Sequence, residues 1–178
     1  MISRPEAFEL LESNDLIGIG MQADAIRQKL HPDRIVTYFL PNPGEPAPAI
    51  IARLSFSPGE SAHNRLDRLD ELRAAQEKTK SYIAVAPLFD GAAAEFLKLI
   101  SISRLYLENI PHVQVSCSPG LKICQIALRF GADDISGADL TQPRPLELPT
   151  DQEIRALIRD AGFIPKQRDA LFQSYALA

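Results

Sequence analysis

The two cysteines of this 178-residue chain lie in one stretch, "HVQVSCSPGLKIC", as Cys117 and Cys124. Such a pair can be a disulfide, two metal ligands, a nucleophile with its partner, or packing. Cys124 sits among Leu121, Ile123, Ile126, Ala127, Leu128 and Phe130. In that company a free cysteine packs as a small hydrophobe. Cys117 is placed differently, just past an expected strand and before "SPG" and a helix start. A helix N-terminus favours the thiolate, so a reactive Cys117 and an ordinary loop cysteine both stand as readings. Zinc and iron–sulfur sites draw on three or four ligands at short spacings. Two cysteines, with histidines scattered at 31, 63 and 112, do not supply them. No metal and no cofactor is expected.

Other residues offer weaker chemistry. The backbone N–H groups of "SPGLK" could hold a phosphate or carboxylate at a helix start. Asp133 and Asp134 could share acid–base work, yet adjacent strand residues face opposite ways, so solvated turn residues are the plainer reading. Arg168, in "QRD", could grip a carboxylate in two-pronged fashion or pair with Asp169 or another acid. His63 opens a charged helix and is expected to be exposed. The chain holds no G-x-S-x-G, no Walker A and no G-x-G-x-x-G. No catalytic residue is assigned.

Strands alternating with helices must position these groups. Apolar residues at Leu10, Leu11, Ile17, Met21, Ile26 and Leu30 predict a helix over 5–30, with Gly18 and Gly20 as its weak point. His31-Pro32 ends it. "RIVTYFL" (34–40), "AIIARLSF" (49–56), "SYIAVAP" (81–87), "HVQVS" (112–116) and "DDISG" (133–137) read as strands. Helices are predicted over 64–80, with Leu66, Leu69 and Leu72 inward, over 91–110, over 119–132 and over 151–161, where Thr150 is the N-cap. "PNPGEPAP" (41–48) is a stiff linker. The fold class is therefore α/β: a parallel sheet of about five strands with flanking helices, in one domain over 1–178. An N-terminal helix and first strand fill 1–40, the Pro-rich linker 41–48, and four βα units 49–178.

Composition narrows the partners. Hydrophobic residues make up 46% and the net charge is −4. The charges are dispersed, so neither nucleic acid nor an anionic membrane is an expected partner. Glu6, Glu9 and Glu12 break any signal-peptide core, and no apolar run is long enough to span a bilayer. A cytoplasmic location is the expectation.

Several stretches together resemble a known family. "LIGIGMQADAIRQKLHPDRIVTYF", "LKLISISRLYLENIPHVQVS", "KICQIALRFGADDISG" and "IRDAGFIPKQRD" are similar, in this order, to the radical S-adenosylmethionine enzymes of the futalosine route to menaquinone, aminofutalosine synthase and dehypoxanthine futalosine cyclase. The resemblance implies an eight-unit barrel in which the loop after the first strand carries C-x-x-x-C-x-x-C, the holder of a [4Fe–4S] cluster. Here "PNPGEPAP" takes that loop's place, and no cysteine precedes Cys117. "GADLTQPRPL" also lacks the paired glutamates of the family's last loop. The resemblance therefore implies a shortened relative, a partial (half) barrel of the first strand and the last four units. Its expected role is non-catalytic or accessory, binding a small polar metabolite or a partner. An open half barrel exposes two edges and an apolar face, so a homodimer or a complex with a full-length relative is expected. By analogy with other barrels, Pro87, Ser116, Cys117, Ser136 and Gly137, with Arg168 from the tail, would line the ligand site at the C-terminal strand ends. The rival reading is a cluster-independent enzyme that uses Cys117 or the Asp133/Asp134 pair.

Overall fold

Six parallel strands form one sheet in the computed structural model, which describes residues 1–41, 49–137 and 148–173. The elements run α1 (Arg4–Glu12), α2 (Leu16–Leu30), β1 (Ile35–Phe39), β2 (Ile51–Phe56), α3 (Ala62–Thr79), β3 (Ala84–Phe89), α4 (Ala93–Tyr106), β4 (His112–Ser116), α5 (Leu121–Ala127), β5 (Asp134–Ser136), α6 (Asp151–Asp160) and β6 (Ile164–Gln167). The sheet order is β2-β3-β4-β5-β1-β6. β1 thus leaves its sequence neighbour and pairs with β5 and β6. The architecture is α/β, a six-stranded parallel sheet with flanking helices, consistent with a partial TIM-type barrel. Most of the expected linker, residues 42–48, and most of the loop "GADLTQPRPL" lie outside the described residues.

The sheet has one more strand than the sequence predicts. "IPKQ" pairs with β1, Ile35 opposite Ile164 and Tyr38 opposite Gln167. Its Pro165 argues against a strand until the topology is known. β6 ends the sheet order, and an edge strand tolerates proline because one side of it makes no ladder bonds.

The two faces of the sheet differ. Val36, Tyr38, Val85, Val113, Val115 and Ile135 lie under the helices in the main core. The opposite face follows from the register: Thr37 stands across from Asp134, and Gln114 across from Asp134 on the other side. This is the face a full barrel would turn to its interior. It is polar in β4 and β5 and at Thr37 of β1, and carries Ile51, Ala84 and Ala86 in β2 and β3.

The first helix divides, but not at its glycines. α1 ends at Ser13, and Asp15 caps α2 by accepting from the Gly18 N–H at 2.9 Å. Gly18 and Gly20 both lie inside α2. The buried face of α2 is Ile19, Gly20, Ala23 and Arg27, whereas Ile17 and Met21 are 65% and 69% exposed. Close packing sets this choice. A Cβ on Gly20 would meet the Phe130 ring at 2.7 Å, and one on Gly131 would lie 3.0 Å from the Ala23 Cβ. Gly131 also holds φ at +97°, a conformation glycine adopts without strain. Small residues let α2 lie against α4 and the turn after α5, leaving the larger Ile17 and Met21 in solvent.

Candidate functional site

A cleft of about 620 Å3 opens at the C-terminal ends of β2, β3 and β4. That volume falls in the range of small-molecule sites. Ser55, Ser57, Asp90, Ser116 and Ser118 bring polar atoms to it, and Phe56, Pro87, Phe89, Phe96 and Ile123 supply apolar wall. Ser116 and Ser118 share a hydroxyl–hydroxyl bond of 2.8 Å, and the Ser118 N–H donates to the Ser116 Oγ at 3.1 Å. At the rim α4 starts without a side-chain cap, because its N-cap is Ala92. Ala93 lines the cleft. The first backbone N–H groups of that helix are thus left for a ligand acceptor. Of the residues singled out from sequence, Pro87 and Ser116 line this cleft.

Cys117 lies behind the wall. It is buried, 8% exposed, and its Sγ–H donates to the Cys124 Sγ across 3.1 Å. Both cysteines are free thiols. Burial first, and then the Cys117 sulfur, pushes the Cys124 thiol well above the usual range. The donor set does not fit a [4Fe–4S] cluster. Such a cluster takes three or four thiolates, and the chain's two cysteine thiols are hydrogen-bonded to each other where β4 enters α5.

Asp134 and Arg168 form a second centre, away from the cleft. Both are fully buried. Arg168 donates through Nε to Asp134 Oδ1 and through Nη2 to Oδ2, each at 2.6 Å. Thr37 Oγ1 donates to Oδ1 at 2.5 Å and Gln114 Nε2 to Oδ2 at 2.7 Å. The Arg168 guanidinium also sits 3.6 Å from the centroid of the Phe172 ring. The neighbouring acid that Arg168 was expected to find is therefore Asp134. The sequence reading of Asp133 and Asp134 as solvated turn residues is corrected: both are buried in ion pairs. Ser136 and Gly137 end β5 next to this centre. The Ser136 carbonyl accepts from Cys117 N–H at 3.0 Å, and Gly137 N–H donates to the Phe39 carbonyl at 2.9 Å. Among the described residues neither lines the cleft.

Asp133 organises a third group at the opposite, N-terminal strand ends. Its Oδ1 accepts from Arg104 Nη2 and from the Val113 N–H. Its Oδ2 meets His112 Nδ1 at 2.5 Å and His31 Nε2 at 3.0 Å. The His31 and His112 rings stack, centroids 4.9 Å apart. These histidines look scattered in the sequence, but the fold brings them together. Their nitrogens and the carboxylate all lie within 4.8 Å, near enough for a metal ion. Arg104 already supplies the cation on that carboxylate, and both imidazoles are turned to it, so the group reads as an ion-pair network. His63 is exposed and packs on the Phe8 ring.

Electrostatics sets a pH dependence here. Burial opposes the charge of Asp133, but Arg104, His112 and His31 outweigh it and hold the carboxyl below the usual range. Burial likewise opposes a charged His112, yet Asp133 and Asp134 outweigh that and Arg104, and raise its pKa. A raised folded pKa gives stability that is complete below the unfolded value of about 6.5 and is lost as pH climbs through the folded value. The urea midpoint should therefore fall as pH rises from about 6.5, and His112→Gln should flatten that slope. An unchanged slope in the variant would assign it to other groups.

Comparison with known proteins follows the same lines. Residues 81–178 match the family described as CofH/MqnC C-terminal region. The chain is 30% identical over 141 residues to aminodeoxyfutalosine synthase of Thermus thermophilus, covering 64% of this chain and 37% of that protein. It is 28% identical over 133 residues to cyclic dehypoxanthine futalosine synthase of Streptomyces coelicolor, covering 65% and 33%. To a 5-amino-6-(D-ribitylamino)uracil–L-tyrosine 4-hydroxyphenyl transferase of Methanocaldococcus jannaschii it is 26% identical over 202 residues, covering 94% and 56%. The chain thus spans between a third and somewhat over half of these relatives. The last alignment is longer than the chain itself, so that relative carries residues within the aligned span that have no counterpart here.

Proposed function

The chain belongs to the CofH/MqnC C-terminal family, related to enzymes of the futalosine route, and from that footing we propose that it is a non-catalytic or accessory member. Its task is to bind a small polar metabolite or a partner subunit in menaquinone biosynthesis. The observation that carries this reading is the state of the candidate reactive groups. Cys117 bonds to Cys124, Asp133 to Arg104, and Asp134 to Arg168. A base needs a free lone pair within reach of substrate, and both carboxylates have theirs committed. Cys117 keeps its lone pairs but is 8% exposed and sits behind the cleft wall, out of reach of a metabolite-sized substrate. The cluster-independent enzyme that would use Cys117 or Asp133/Asp134 is the weaker reading for that reason.

The cleft supports the binding role. Its serines, Asp90 and the open start of α4 suit a ligand with several hydroxyls and an acceptor, and its apolar wall suits a flat ring. The relatives' names point to the same chemistry, a heterocycle carrying a sugar-derived chain in the ribitylaminouracil case. The partner would be a second copy or a full-length relative. The sheet order ends at β2 and β6, and Ile17 and Met21 stand one turn apart in solvent on α2; unpaired edges and clustered apolar side chains favour association.

Calorimetric titration with aminodeoxyfutalosine tests the reading, with light scattering on the same sample. Saturable binding, weakened about tenfold or more by Ser116→Phe with an unchanged urea midpoint, is the expected result. No heat would reject that metabolite, a monomer mass would reject the second copy, and no co-elution with an added full-length aminodeoxyfutalosine synthase would reject the remaining partner. Broad visible absorption after reconstitution with iron and sulfide would reject its non-catalytic part.

A further inference from the structure

Oxidation chemistry is the one property of the Cys117–Cys124 pair that the binding role leaves unused. The sulfurs are 3.1 Å apart, whereas a disulfide bond is about 2.0 Å long, so bonding asks for roughly 1 Å of approach. The connecting turn can provide it. α5 is only seven residues long, its first turn has no side-chain cap, and Gly120 before it has open space where a Cβ would be. The two thiols are also unequally placed. Ser116, Ser118 and Pro119, on either side of Cys117, line the cleft, whereas Cys124 is fully buried beneath.

We propose that Cys117 and Cys124 are a reversible disulfide-forming site, oxidised by a small peroxide that enters through the cleft and reduced again by a dithiol. In the first step the Cys117 sulfur attacks one peroxide oxygen. The O–O bond breaks, the thiol proton goes to the departing oxygen, and Cys117 becomes a sulfenic acid. In the second the Cys124 sulfur attacks Cys117. The S–O bond breaks, the S–S bond forms, and the Cys124 proton leaves with the hydroxyl as water. Two thiols and one hydroperoxide thus give one disulfide, water and an alcohol, or a second water from hydrogen peroxide. Burial raises the Cys124 thiol, which makes it the poorer attacker on peroxide. Its part in the second step rests on the 3.1 Å approach of the two sulfurs. Reduction by a dithiol returns both thiols and leaves that dithiol oxidised. The bond would pin the β4–α5 turn, and with it one wall of the cleft. No ligand is required, so this site stands or falls apart from the binding role.

The sequence makes the test direct. Trypsin cuts after Arg104, Lys122 and Arg129, so Cys117 and Cys124 fall on separate peptides, 105–122 and 123–129. The native chain is treated with hydrogen peroxide, unfolded, alkylated and digested without reductant. The expected product is the two peptides joined, lighter by two hydrogens and reversed by dithiothreitol. It should form about tenfold or more faster in the folded chain than in urea, because the fold holds the sulfurs together. Three outcomes would overturn the site: both cysteines alkylated while a free cysteine peptide in the same tube is oxidised; Cys117 driven to sulfinic acid with Cys124 still alkylated; or faster joining in urea than in the folded chain.

Discussion

Asp134→Leu is expected to cost about 3–5 kcal/mol in urea unfolding, because it strands Arg168 in a fully buried site. The carboxylate takes four hydrogen bonds, two from Arg168 and one each from Thr37 and Gln114. Removing it leaves a guanidinium that cannot give up its proton at any accessible pH. The aromatic rings of Phe172 and Phe39 face that cation but hold no countercharge. A domain of this size is stable by about 5–15 kcal/mol, so this single change takes a large share of the total. Adding Arg168→Met removes the stranded charge. Met and Leu fill similar space, and the pair should recover much of the loss, as apolar replacements of buried ion pairs do elsewhere. Recovery stays incomplete because Thr37 and Gln114 lose an acceptor. A single variant within about 1 kcal/mol of the parent would mean that water reaches Arg168.

The sequence shows why part of this centre was legible and part was not. "IVTYF" and "HVQVS" each alternate, and period 2 puts Thr37 and Gln114 on the face opposite the valines. The polar face was therefore written in the strands. What they meet was not, because register and strand order are long-range: Thr37 and Asp134 lie 97 positions apart. Asp133 and Asp134 look like a turn because two adjacent acids usually are one. They are buried because each has an arginine from a distant element, Arg104 from α4 and Arg168 from the tail. The register of α2 misled for the opposite reason. Its bulky residues trace an apolar stripe, but the packing surface is the small one, where Gly20 and Ala23 admit Phe130 and Gly131. Local hydrophobicity cannot report how closely two helices approach. The helix caps, which are local, were readable: Thr150 caps α6 and reciprocates with Glu153.

The two buried carboxylates are neighbours at the start of β5, turned to opposite faces of the sheet, and do different work. Asp134 lies on the polar sheet face, across from the mid-strand residues Thr37 and Gln114. Asp133 lies at the N-terminal ends of β4 and β5, the side associated with stability. Its setting predicts a second large effect of another kind. Arg104→Met should cost about 3–5 kcal/mol at pH 8. The variant loses the Asp133 cation and the donors to the Gly131 and Pro111 carbonyls, held at 2.8 and 2.9 Å. Unlike a stranded guanidinium, a stranded carboxylate has relief at hand. His112 and His31 both face Oδ2, and Arg104 is one of the charges that lower the His112 pKa. Removing Arg104 therefore raises that pKa further. An imidazolium formed at pH 6 then stands where the guanidinium stood. The sign is fixed: the penalty of Arg104→Met should shrink as pH falls from 8 to 6, by about 1 kcal/mol or more. The penalty of Asp134→Leu should change the other way, growing somewhat as pH falls from 8 to 6, because Asp134 is one of the charges that raise the His112 pKa. Urea curves of both variants at the two pH values measure the contrast. A penalty for Arg104→Met that is level or grows toward pH 6 would show that His112 does not take up its charge.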